Sequence, residues 1–112
     1  MNDKQTLLLV YLAGGSLLVI LALPLLKERV RPNVFYGFRF PKSFRSPEIW
    51  YAVNKYGAKR LLWSGVSLNA AAVGLYFFPR LSLDAYALGC LAAFGVVFTL
   101  GLIQSMIYLR SL

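Results

Sequence analysis

Three stretches of this chain carry no charged side chain at all: residues 6–26, 61–78 and 85–109. They contain 21, 18 and 25 residues. An α-helix rises about 1.5 Å per residue, so about 20 apolar residues cross a hydrocarbon core roughly 30 Å thick. The first and third stretches meet that length. The second meets it once Lys59 and Arg60 are included, because their aliphatic stems can lie among lipid chains while the charged heads reach the headgroups. A soluble helix of this length needs a sustained polar face, and none of the three shows one. With 59% hydrophobic residues, the composition also exceeds the half or so typical of soluble domains. The sequence therefore predicts an all-α membrane protein. Residues 1–112 form a single membrane domain with three transmembrane helices at 6–26, 59–78 and 85–109.

A cleaved signal peptide is the rival reading of the first stretch. Asp3 cancels Lys4 in its leading segment, its apolar run exceeds the usual length, and Lys27-Glu28-Arg29 follows instead of a small-residue cleavage site. A retained anchor is the better reading.

Charge is concentrated between the first two spans. Residues 27–60 hold nine of the twelve Lys and Arg residues but only Glu28 and Glu48 among the four acids, a net +7 of the chain's +8. Positive residues in short loops stay on the cytoplasmic side. That rule predicts the N-terminus outside, with the basic loop and the C-terminus at Arg110 inside. Trp50, Tyr51, Trp63 and Tyr108 are then expected near the inner interface. Tyr11, Tyr76, Phe77, Phe78 and Tyr86 are expected near the outer one. Beside membrane spans, a basic loop faces anionic lipid headgroups rather than nucleic acid.

The loop has internal order. Pro32-Asn33 and Tyr36-Gly37 are turn signals. Ser46-Pro47-Glu48 is a helix start, with a hydroxyl N-cap, proline in the first turn and an acid beside the helix dipole. Ile49, Val53 and Tyr56 follow on one apolar face, which predicts a short amphipathic interfacial helix over about 47–57 in the cytoplasmic loop. The pattern leaves open whether it bends near Gly57 or runs straight into the second span. Pro79 closes that span, and the short turn after it makes the second and third helices an antiparallel hairpin. Small residues at Ala13-Gly14-Gly15-Ser16, at Ala70 and Gly74, and at Gly89 and Ala93 suit close helix packing. They suit a homo-oligomer face or docking on a membrane protein partner as well. Asn69 and Gln104 could bond across such contacts.

Chemistry finds little purchase. The chain has no histidine, so the commonest general base and metal ligand are missing. The single cysteine, Cys90, lies inside a span and excludes an internal disulfide. The four acids never cluster at ligand spacing, and the three charge-free stretches hold no intramembrane charge of the type ion-coupled carriers require. No cofactor and no catalytic residue is expected, and the chain reads as non-enzymatic. A lipid- or peptide-handling enzyme using the basic loop is the least favoured reading. Lys27, Arg29, Arg31, Lys59 and Arg60 are explained by topology and non-specific headgroup attraction. Arg39 stands apart, because the residues around it form a pattern that topology does not need.

That pattern comprises Pro32-Asn33, Tyr36-Gly37, Arg39, Pro41, Glu48, Trp50, Asn54 and Gly57, and it resembles the signature of the SdpI family. In that family a PN-x-x-YG-x-R-T-P stretch leads into a W-x-x-x-N helix flanked by membrane helices. Phe40 departs from it, standing where a small polar residue is usual. The resemblance implies a bacterial cytoplasmic (inner) membrane protein acting by binding, with immunity to a secreted killing peptide, or the signalling of that immunity, as its role. The alternative is a structural accessory subunit of a larger membrane protein complex, such as an energy-transducing assembly. Site candidates are Pro32, Asn33, Tyr36, Gly37, Arg39, Pro41, Glu48, Trp50 and Asn54. Tyr36 and Trp50 are expected to anchor the loop at the interface, Asn54 to bond loop backbone, and Arg39 to pair with Glu48 or a lipid phosphate.

Overall fold

A computed structural model describes residues 2–33 and 35–112, and among them every regular element is helical. Helix α1 spans Asp3–Leu26, α2 spans Pro47–Tyr76 and α3 spans Leu83–Ser111, with a single 3₁₀ turn at Pro41–Phe44. The molecule measures 52 × 23 × 18 Å. Both α1 and α3 are long and apolar enough to cross a membrane. Charged Lys55, Lys59 and Arg60 fall in the first half of α2 and dilute its apolar character.

Local chemistry sets the helix ends. The Asn2 side chain accepts the Gln5 amide at 2.8 Å while the Gln5 side chain accepts the Asn2 amide at 3.0 Å, closing a capping box on α1. At the other end the Glu28 amide donates to the Leu25 carbonyl and the Arg29 amide to the Pro24 carbonyl, with Glu28 at φ 58°. This left-handed C-cap satisfies two orphan carbonyls and turns the chain sharply into the basic loop. The Ser46 hydroxyl accepts the Ile49 amide at 3.2 Å, so the Ser-Pro-Glu start of α2 forms as its residues predict.

The expected interfacial helix is not a separate element: α2 runs unbroken for 30 residues through Gly57. A helix glycine loses regularity when water or a bend relieves it. Here Phe38 and Ser105 cover Gly57, each 3.6 Å from where a Cβ would stand. At about 1.5 Å per residue α2 is roughly 45 Å long, which exceeds a bilayer core.

Helix α2 packs against both neighbours, whereas α1 and α3 barely touch. The α1–α2 crossing is set by Gly15 and Gly65: a Cβ on Gly65 would stand 2.6 Å from the Gly15 carbonyl oxygen. Asn69 reaches Ser16 beside that crossing, at 3.4 Å. The close-packing role expected of Ala70 and Gly74 falls instead to Gly65, since Gly74 has open space around it and Ala70 is exposed. Tyr11 and Tyr86 also depart from the expected aromatic belt. Both are buried, and their hydroxyls donate to the Ala87 and Ala72 carbonyls at 3.1 and 2.8 Å. A buried phenol must find an acceptor, and helix carbonyls supply it here. Phe77 and Phe78 remain exposed.

Candidate functional site

The basic loop folds back over the start of α2 and is held from three sides. Asn33 begins it: its Oδ1 accepts the Phe35 and Tyr36 amides at 2.9 and 2.7 Å, and its Nδ2 donates to the Arg31 carbonyl at 2.7 Å. Asparagine is suited to this because its side chain imitates a peptide group. Tyr36 then donates its hydroxyl to the Leu21 carbonyl on α1. Burial pushes the Tyr36 phenol above its ordinary pKa, which keeps it a neutral donor.

Two side chains on successive turns of α2 receive the loop. The Asn54 Oδ1 accepts the Phe38 amide, and its Nδ2 donates to the Trp50 carbonyl at 2.9 Å. The Trp50 Nε1 donates to the Val30 carbonyl at 2.8 Å, and its ring lies 5.3 Å from that of Phe44. Spacing of four residues puts Trp50 and Asn54 on one helix face. Trp50 is fully buried, so it is a pin inside the loop and not the interface anchor expected of it.

Gly37 passes over both. Its φ is +117°, and an added Cβ would stand 2.8 Å from Asn54 Oδ1 and 3.1 Å from the Trp50 ring. Gly37→Ala should therefore cost about 1–3 kcal/mol in backbone strain, with a steric term added. The expected result is a lower unfolding midpoint and lost hydrogen-exchange protection at Phe38, and wild-type protection there would contradict this geometry.

Pro41 opens the 3₁₀ turn, after which Lys42 donates its ammonium to the Arg110 carbonyl at the end of α3, 3.0 Å away. A cation there complements the helix dipole. Tyr56 and Tyr108 stack 4.5 Å apart and join α2 to the same end of α3. The loop thus touches α1, α2 and α3. Of the sequence candidates, Asn33, Tyr36, Gly37, Trp50 and Asn54 converge on one latch, and Pro41 shapes its rim. Pro32, Arg39 and Glu48 lie exposed. The candidates omitted Val30, Phe38 and Phe44, which act through a carbonyl, an amide and a ring face. The Trp-x-x-x-Asn pair hints at their presence without naming them.

Beneath the latch lies a cavity of about 270 Å³ where the three helices meet, roofed by Tyr36, Gly37 and Phe38. Arg60 lines it, with its guanidinium 5.0 Å from the Tyr56 ring centre and its Nε buried without an acceptor. Gly101 makes room for this arginine: a Cβ there would stand 2.8 Å from Arg60 Cβ. No group of three or more His, Cys, Asp or Glu able to hold a metal ion occurs among the described residues.

Apolar helices of spanning length around a latched basic loop mark a membrane protein. A model of the SdpI/YfhL protein family matches residues 29–109, which takes in the whole latch, α2 and nearly all of α3. The chain belongs to that family, as the loop pattern indicates. Neither the curated proteins nor the solved structures give a match.

Proposed function

We propose that this protein spans the bacterial cytoplasmic membrane three times, with its N-terminus outside and its basic loop and C-terminus inside. It acts by binding, in immunity to a secreted killing peptide or in signalling that immunity. The second half of α2 serves as the middle span and its first turns stand at the inner interface. The +7 loop charge favours that orientation. The bond from Lys42 to the Arg110 carbonyl supports it too, since it ties the loop to the C-terminal end of α3.

The observation that carries a binding role is a division of labour in the loop. Asn33, Gly37, Trp50 and Asn54 hold the backbone in place, while Arg39 and the 88%-exposed Phe35 lie on the outer surface. An exposed cation and aromatic on a rigid support make a recognition face. Arg39→Ala should abolish protection of cells against the killing peptide while membrane insertion stays as in the wild type, because eight island cations remain to set topology. Full protection by this variant, or unchanged sensitivity when the gene is deleted, would sink the reading. Migration with a large assembly on a native gel after mild detergent extraction would support the accessory-subunit alternative instead.

A further inference from the structure

Arg60 reads as a topology signal in the sequence, yet it forms part of a cavity wall. Its guanidinium carbon stands over the Tyr56 ring, a cation–π contact that leaves the N–H donors to find acceptors elsewhere. The Nε donor is buried and finds none among the described residues. A buried donor without a partner is costly, and more so on a charged group. None of the residues lining the cavity is acidic. The rest of the wall is mostly apolar, with Leu21, Leu25, Leu61, Phe98 and Leu102 contributing from all three helices. Ser64 and Ser105 are buried and donate their hydroxyls to the Arg60 and Gly101 carbonyls at 3.0 and 2.8 Å, so neither competes with Arg60 as a ligand group.

We infer that this cavity is a specific site for one phospholipid of net negative headgroup, whose phosphate pairs with Arg60 and whose acyl chain lies along Leu21, Phe98 and Leu102. The lone cation selects the charge, and arginine suits phosphate through its planar donor fork. A volume of about 270 Å³ is near the lower bound of about 300 Å³ for ligand pockets, which fits one chain segment and not a folded peptide. Arg60 opens the uncharged stretch 61–78, so a membrane lipid presents its phosphate at that level. The inference goes beyond general attraction of lipid to the basic loop, and it stands whether or not the outer face of the loop binds a killing peptide.

Delipidated full-length protein in detergent, titrated with phosphatidylglycerol or phosphatidylcholine and followed by native mass spectrometry, tests it. The expected result is one tightly held phosphatidylglycerol, preferred over phosphatidylcholine. Arg60→Gln should weaken that preference about tenfold, the scale of one charge-assisted hydrogen bond. Gly57→Leu, which fills the cavity while every charge is kept, should remove the tight site. Lys27→Gln, outside the cavity, should leave it unchanged. Equal affinity for both lipids, equal effects of Arg60→Gln and Lys27→Gln, or displacement of the lipid by millimolar inorganic phosphate would each overturn the assignment.

Discussion

Trp50→Ala should destabilise the protein by about 3–5 kcal/mol, the range for removing a large buried aromatic. Trp50 is 0% exposed, and three contacts fail together when it goes. Its ring no longer packs on Phe44, its Nε1 no longer reaches the Val30 carbonyl, and Gly37 loses the surface it crosses. The Val30 carbonyl marks the entry to the loop and Phe44 its exit, so both ends come loose at once. Trp50→Phe separates the terms. It keeps most of the packing and loses only the hydrogen bond, which is worth about 0.5–1.5 kcal/mol. Unfolding in increasing SDS, followed by the fluorescence of the remaining Trp63, measures both variants. If Trp50→Ala unfolds at the wild-type midpoint, the loop is not latched through this residue.

The same residue shows where sequence reasoning reaches and where it stops. Trp50 and Asn54 were legible as a pair because a spacing of four puts both on one side of a helix. The Ser46 cap was legible because its partners lie within three residues. Charge-free stretches gave the helices for a similar reason, since length against bilayer thickness is a property of one segment. What the sequence hid depends on pairs far apart in it. Tyr11 and Tyr86 looked like belt residues until the bundle closed around them. Gly65 drew no notice beside Ala70 and Gly74, because only the facing Gly15 makes it indispensable. Arg60 was indistinguishable from Lys59 until Gly101 on another helix gave it room. The path of α2 through Gly57 was undecided for the same reason, as Phe38 and Ser105 come from other elements.

Gly65→Ala and Gly74→Ala place the same change on one helix, yet only the first should destabilise it. Alanine gains at most about 1 kcal/mol over glycine from helix propensity, less where the unfolded helix stays in lipid or detergent. At Gly74 nothing lies within 4 Å, so that small gain, or no change, is the expected result. At Gly65 the new methyl would stand 2.6 Å from the Gly15 carbonyl oxygen and 3.2 Å from Leu18 Cβ and Val19 Cγ2. Backbone cannot rotate away as a side chain does, so α1 and α2 must separate. Overpacking of this type costs about 1–3 kcal/mol and at times more. A larger residue such as valine should drive the helices further apart. The damage should also reach the loop, because the Tyr36 hydroxyl is bonded to the Leu21 carbonyl on α1. Displacing α1 should therefore lower hydrogen-exchange protection around Tyr36 as well as the SDS midpoint. Gly65→Val with a wild-type midpoint would show that the helices do not meet there. A lowered midpoint with an undisturbed loop would show that α1 and the latch are mechanically separate.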